Sequence, residues 1–442
     1  MSDDLRTTRR GVLALAGSAV LAGCGALPNL GGSSPPDLEA ARLKEITSGE
    51  RPDIPQTVPV TIADDYVQGH ADRAQTLLSE APLPFDEGEI PNGAMREEMN
   101  TAAETARSTI EEGQNAGSPY EAISTLRDAR GNGRTVATAW AYADEGLRRE
   151  DLEDDADALA DDVNAFRDRL SYVGDDPVRA LLVYEPVESL LASAANNAEG
   201  RPENPRTRRL AENLVTVSEF AADLERGRTA LTDATYLFDR LRADLATSRD
   251  LSGTFESALD ELLDLLETGT ADFDGSDPVS AVVDADIEGS TVELPLEYLH
   301  GDVTHREPIT DHRDQGEPAS GLDSAHRELT RLRAFQDLRD RVESGENYEI
   351  ESAEDVATIR ESAVTAIETA LDEPAEPSLS RNTLHNMVGL VENVDDEIGP
   401  YDRREQVPAD WIRRDVGEYI YATAVARVTP GVSETVAETL RN

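Results

Sequence analysis

Residues 152–173 read LEDDADALADDVNAFRDRLSYV. The apolar positions Leu152, Ala156, Leu159, Val163, Phe166, Leu170 and Val173 are spaced 4, 3, 4, 3, 4 and 3. Side chains three and four apart share one face of an α-helix, so this spacing draws a continuous apolar stripe over three heptads. The intervening positions are mostly acidic and suit a solvated face. An amphipathic helix with one such stripe must bury it against other helices. The stretch therefore predicts a mainly α protein of long antiparallel helices in a bundle-like array.

The pattern continues in both directions. Asp176-Pro177 reads as an N-cap and first helical residue, followed by Leu181, Tyr184, Val187, Leu191 and Ala194, with Pro186 expected to kink the helix. From Asn204-Pro205 to Leu251 no proline or cap intervenes. Leu210, Leu214, Val217, Ala221, Leu224, Leu231, Phe238, Leu241 and Leu245 mark one seam there, with Arg228 and Thr235 interrupting it. Further helices are expected at 64–81, 92–115, 119–130, 134–148, 254–268, 322–343, 353–372, 381–397 and 409–428. Ser118 and Ser352 open capping-box patterns. Leu384, Met387, Val391, Val394 and Ile398 form a late seam. Trp140, Tyr142, Trp411, Tyr419 and Tyr421 lie in helical context and are expected to pack in the core.

One region departs from this. Residues 270–320 are rich in Gly, Pro, Asp and His, and Val279–Val283 with Thr291–Leu296 could pair as a short hairpin. The expected organisation is an N-terminal helical body at 37–269, an irregular or β excursion at 270–320 and a C-terminal helical body at 321–442. A short similarity links Asp65-Tyr66-Val67-Gln68-Gly69 to Glu297-Tyr298-Leu299-His300-Gly301, but no fixed repeat period is present, so a solenoid is not expected.

The charge is extreme: 90 acidic against 41 basic residues, a formal net charge of -49. Lys44 is the only lysine. Such self-repulsion opposes compaction in dilute buffer, whereas in molar salt the Debye length falls to about 3 Å. Acid-rich, lysine-poor composition resembles that of haloarchaeal proteins. Phosphate binding needs a basic face, so nucleic acid is not an expected partner.

The N-terminus carries its own signal. Thr8-Arg9-Arg10-Gly11-Val12-Leu13 places the pair Arg9 and Arg10 before an apolar run to Leu21, which ends in Leu21-Ala22-Gly23-Cys24. The run is too short to span a bilayer and has the length of a signal-peptide core. Residues 1–24 resemble the twin-arginine export signal and lipobox of a haloarchaeal lipoprotein, with Val12 where such signals often have Phe. The resemblance implies folded export, removal of 1–23, a lipid on Cys24, and a flexible tether at 24–36 holding the body on the outer face of the cell membrane. Cys24 is the only cysteine, so no intrachain disulfide is possible.

Chemistry is sparse. No His-Glu-x-x-His, Gly-x-Ser-x-Gly or P-loop motif occurs, and Gly131-Asn132-Gly133, between two expected helices, lacks the rest of a dinucleotide fingerprint. With 90 carboxylates, proximity of two acids carries no information. No catalytic residue is identified and no cofactor is expected. Histidine alone is uneven: His300, His305, His312 and His326 are four of six. The first three lie near Asp302, Asp311 and Asp314, a donor set suited to a divalent metal such as zinc. Their spacing matches no dedicated zinc motif, and a solvated polar loop is the plainer reading. Asp272–Asp277 resembles part of a calcium loop but lacks its distal Glu, so an acidic turn is expected there.

The expected function is a lipid-anchored helical scaffold or partner-binding protein, joined to the membrane by its anchor and to an envelope or membrane protein. A solute-binding lipoprotein of a transporter is the alternative, and a metal-dependent extracellular hydrolase a further one.

Overall fold

The computed structural model describes residues 35–199, 213–271, 278–304, 309–372 and 377–442. Arg9, Arg10, Cys24, Leu210, the acidic run at 272–277 and His305 lie outside the described residues. Residues 36–442 form one compact unit.

In chain order its elements are β1 (Asp37–Glu39), α1 (Ala40–Thr47), α2 (Asp64–Ser79), α3 (Gly93–Gln114), α4 (Pro119–Asp144), α5 (Glu153–Arg169), β2 (Val173–Gly174), α6 (Pro177–Glu199), α7 (Leu214–Asp244), β3 (Arg249–Asp250) and α8 (Ser252–Gly269). Then follow α9 (Glu293–Thr304), α10 (Ile309–Asp314), α11 (Pro318–Glu343), α12 (Ala353–Asp372), α13 (Pro377–Ile398), β4 (Gln406–Pro408) and α14 (Ala409–Arg441). The protein is mainly α, as the seams require.

Helix α5 realises the stripe at 152–173. Ala156, Leu159, Val163 and Phe166 are buried against α6 and α7. Each large side chain so buried contributes on the order of 2 kcal/mol. Glu153, Asp154 and Asp155 occupy the first turn, and Arg167 and Arg169 the last, matching the helix dipole at both ends. Helix α7 has 31 residues, about 46 Å at 1.5 Å each. Asn213, inside the stretch read above as free of caps, in fact caps it by accepting from the amides of Val215 and Thr216, and the helix ends at Asp244, short of the expected Leu251. The helix continues through Arg228, whose side chain turns outward to Asp155 at 2.9 Å.

Further readings of the sequence need correction. Residues 119–148 do not form two helices parted at Gly131-Asn132-Gly133; α4 runs unbroken through both glycines. A Cβ on Gly133 would stand 3.1 Å from the Ala74 carbonyl oxygen and 3.2 Å from Leu77 Cβ, both on α2. One on Gly131 would stand 2.4 Å from Arg226 Nε on α7. The glycines are places where neighbouring helices come close, not a turn. Helix α14 likewise continues past residue 428, with Pro430 buried inside it. Pro430 forfeits one helical hydrogen bond, while Val432, Val436 and Leu440 beyond it bury a further apolar stripe.

Another concerns the hairpin. Val279–Ala281 is a single 3-10 turn, and Thr291–Leu296 leads into α9. Leu296, Leu299 and Val303 recur at helical spacing and are all buried, and Pro295 in the first turn costs no hydrogen bond. The strands lie elsewhere, in two short antiparallel pairs: β1 with β4 and β2 with β3. Trp411, expected in the core, is 46% exposed, whereas Tyr419 is fully buried.

One apolar cluster joins α5, α6, α7 and α8 to α11 and the end of α14. A second lies among α9, α12, α13 and the first half of α14, and a third under α2, α3 and α4. No described helix is long and apolar enough to cross a membrane.

Candidate functional site

The described interior holds three carboxylate hubs where helices cross, besides Glu317, paired with Arg167 at 3.1 Å, and Glu328, paired with Arg331 on its own helix at 2.7 Å. On α7, Glu225, Thr229 and Asp233 share a face, one turn apart. Opposite them α4 presents Arg127, Arg130 and Arg134, and α2 presents Tyr66, His70 and Arg73. Glu225 accepts from Arg130 at 2.8 Å and Arg134 at 3.1 Å, with Arg73 at 3.5 Å. Burial pushes the Glu225 carboxyl up, but the three guanidinium groups outweigh it and hold it below the usual range. Asp233, with no exposed surface, accepts from the Tyr66 hydroxyl at 2.7 Å and Arg127 Nε at 3.1 Å, and His70 Nε2 lies 3.1 Å away. His70 Nδ1 is buried without a hydrogen-bond partner.

A second hub sits between α12, α13 and α14. Asp395 takes both arms of Arg360, at 2.7 and 2.8 Å, and the Tyr419 hydroxyl at 2.6 Å. Arg51 adds a contact at 3.1 Å. The two-pronged geometry is the strong form of this pair.

The third hub bridges α6 and α11. Glu188 accepts from the Tyr172 hydroxyl at 2.7 Å and from the backbone amides of Ala319 at 3.2 Å and Ser320 at 2.6 Å. It supplies the acceptor that the open N-terminal turn of α11 needs. Burial nonetheless dominates and pushes its carboxyl up to about 7. One turn earlier Glu185 faces a polar cavity of about 210 Å³, lined also by Tyr120, Asp323, Arg327, Asn382, Thr383 and Asn386. Burial, reinforced by Asp323 and Glu188, pushes Glu185 up to about 8, so it is mostly protonated at neutral pH and able to donate a hydrogen bond. This cavity, where α4, α6, α11 and α13 meet, gathers the Glu185 carboxyl, amide side chains and the Asp323–Arg327 pair, whose atoms are 3.2 Å apart. It could hold a small, hydrogen-bonding solute.

The histidine candidates part company. His300, on α9, is buried with its ring 5.7 Å from that of Phe335. His312, on α10, is one-third exposed and lies 3.7 Å from Glu317. It lines a groove of about 860 Å³ with Asp302, Asp311, Glu328 and Arg331, in which His300 takes no part. Among the described residues no group of three or more His, Cys, Asp or Glu is placed to hold a metal ion. His326, on α11, is buried away from the other two: its Nε2 is 3.0 Å from Ser433 Oγ, to which Ser380 donates at 2.9 Å, and burial lowers its pKa.

The three carboxylate hubs were missed in the sequence. A signal existed: Arg127, Arg130 and Arg134 repeat at 3 and 4, as do Tyr66, His70 and Arg73, in phase with apolar faces rather than against them.

Residues 65–250 match the family model described as a domain of unknown function (DUF8262), and residues 252–438 match a second, also a domain of unknown function (DUF8264). No curated protein and no solved structure matches the chain. The boundary between the two matches falls at Leu251, between β3 and α8, so Glu188 and Ser320, and Glu185 and Asp323, face one another from segments similar to DUF8262 and to DUF8264 respectively.

Proposed function

We propose that this protein is a lipid-anchored helical scaffold on the outer face of the cell membrane that binds an envelope or membrane protein, with no catalytic centre and no nucleic-acid partner. The observation that carries the reading is how the buried acids are used. Glu188, Glu225, Asp233 and Asp395 are each tied to groups on other helices and so fix helix positions, while Glu328 and Glu185 are the two that border a groove and a cavity. The export signal around Arg9 and Arg10 and the lipobox at Cys24 supply location and attachment.

The test is purification of the native protein from membranes in mild detergent and molar salt after cross-linking in intact cells. A membrane or envelope protein recovered in fixed stoichiometry is the expected result; a monomer with neither lipid nor partner contradicts the reading. The cavity beside Glu185 favours a second reading, a solute-binding lipoprotein. A small molecule released on denaturation, and lost in a Glu185→Ala variant, would select it.

A further inference from the structure

The cavity beside Glu185 has fixed walls and a size that suits a small solute. Its volume is about 210 Å³. Liquid water takes about 30 Å³ per molecule, so a solute of roughly half a dozen non-hydrogen atoms fits. Gln56, Thr57 and Val58 form one wall, and their segment is clipped in place. The Gln56 amide donates to the Glu121 carboxylate at 2.7 Å, the Ser118 hydroxyl donates to the Gln56 carbonyl, and His385 Nδ1 meets the Ile54 carbonyl at 2.7 Å. Thr57, Arg327 and Asn386 are exposed and mark the mouth. Pro186 is buried, Tyr120 and Glu185 are half-buried, and the surface that Glu185 keeps borders the cavity.

The lining is rich in acceptors and holds one carboxyl more than its basic groups match. Gln56, Asn382 and Asn386 bring amide oxygens, and Thr57 and Thr383 bring hydroxyls. Arg327 is the one basic residue of the lining, and it is engaged with Asp323 at 3.2 Å and with the Ser324 hydroxyl at 3.1 Å. The Glu185 carboxyl makes no hydrogen bond or ion pair with a described residue. Asp323 and Arg327 on α11 and Glu188 on α6 act on it through space, and Arg327, with half its side chain in water, is outweighed by burial and the two acids. On α13 and in residues 56–58 the lining is uncharged. On α4 it is Tyr120, which burial and then Glu185 push up to about 12, so it stays neutral. An anion here would meet two carboxyls, and a zwitterion would find the guanidinium already taken. A primary ammonium group brings three N–H donors and the positive charge that Glu185 lacks.

We propose that this cavity binds a small primary ammonium compound, whose N–H groups donate to the Glu185 carboxylate and to the amide and hydroxyl oxygens around it. The inference rests on the second reading above, a solute-binding protein, and names the class of solute. Without a cation beside it, the Glu185 carboxyl keeps its proton up to about pH 8, so an ammonium ion that binds at neutral pH must displace that proton. Affinity therefore falls as pH drops below 8 and levels off above it. The ion would also join α6, in the segment similar to DUF8262, to α11 and α13, in the segment similar to DUF8264, so binding stabilises the contact between them.

The experiment is calorimetric titration of the full native chain, dialysed exhaustively in mild detergent and molar NaCl. The probes are ethanolamine, ethylene glycol and glycolate, which match in size and are cationic, neutral and anionic. The expected result is saturable binding of ethanolamine alone. At pH 7 it should release close to one proton per molecule bound, read from the heats in two buffers of different ionisation enthalpy. Its affinity should be roughly fiftyfold weaker at pH 6 than at pH 8, the change that a carboxyl titrating at about 8 imposes. Glu185→Gln keeps the shape and removes the charge; it should weaken binding roughly tenfold or more at pH 8 and abolish the proton release, with circular dichroism confirming the fold. Ethanolamine binding with no proton release by the wild type, or undiminished in the Gln variant, overturns the inference. Failure of ethanolamine to bind overturns it too. The solute-binding reading survives that failure if ethylene glycol or glycolate binds or if the native protein releases a small molecule on denaturation, and falls with it otherwise.

Discussion

Replacing Asp233 by Ala removes the centre of the contact among α2, α4 and α7. Asp233 has no exposed surface, and its partners are Tyr66, Arg127 and His70. The substitution leaves the Arg127 guanidinium, only 16% exposed, without its carboxylate, and strands the Tyr66 hydroxyl. Breaking a buried pair from one side costs about 3–5 kcal/mol, because the remaining charge keeps its desolvation penalty. For roughly 400 ordered residues the entropy of unfolding is about 0.8 kcal/mol/K, so the melting midpoint should fall by about 4–6 °C. The matching surface control is Asp155→Ala, which breaks a pair with Arg228 whose two side chains are both well exposed and should cost less than about 1 kcal/mol. Denaturant unfolding in molar salt, followed by circular dichroism, measures both. A double-mutant cycle with Arg127→Ala isolates their coupling. If Asp233→Ala is no more destabilising than Asp155→Ala, the interior carboxylates do not hold the helices in place and the reasoning fails.

Three further outcomes follow from the same structure. Glu185 and Glu188 have carboxyls raised by burial to about 8 and about 7, so the folded state holds protons that the unfolded state releases above about 4.5. Their contribution is intact below that pH and is lost as pH rises to 8; melting midpoints should decline across this window, and Glu185→Gln should flatten the decline. Lowering salt from molar to about 0.01 M lengthens the Debye length roughly tenfold, so a chain of formal charge -49 should lose helix by circular dichroism on dialysis and recover it on return. Gly133→Val, which forces α4 away from Ala74 and Leu77, should cost about 1–3 kcal/mol in denaturant unfolding; an unchanged midpoint would mean that the close approach is not real.

Local rules read well in this sequence where a helix decides its own limits. The Ser352 and Asp355 pattern opens α12, with the Asp355 carboxylate accepting from the Ser352 amide at 2.7 Å, and the helix spans the expected 353–372. The stripe at 152–173 similarly marks the buried face of α5. Sequence reading failed where a neighbouring helix decides. Gly131 and Gly133 look like a break until α2 and α7 are placed beside them, and Pro430 looks like a stop until its buried surroundings are known. The clustered histidines illustrate the same limit. His300, His312 and His326 are close in sequence but lie on three different helices, so one packs on Phe335, one borders a groove and one meets Ser433. The interior charges escaped notice because a search for apolar seams treats every acid as solvated.

The most direct measurement is the mass of the mature N-terminal peptide of the native, membrane-associated protein, beside a Cys24→Ser variant. The account predicts a chain that begins at Cys24, carries two acyl chains through a thioether-linked glyceryl group and stays with the membrane, while the variant is released or retained as precursor. A wild-type chain with an unmodified Cys24 thiol, or a Cys24→Ser variant that matures and remains on the membrane like wild type, would contradict it.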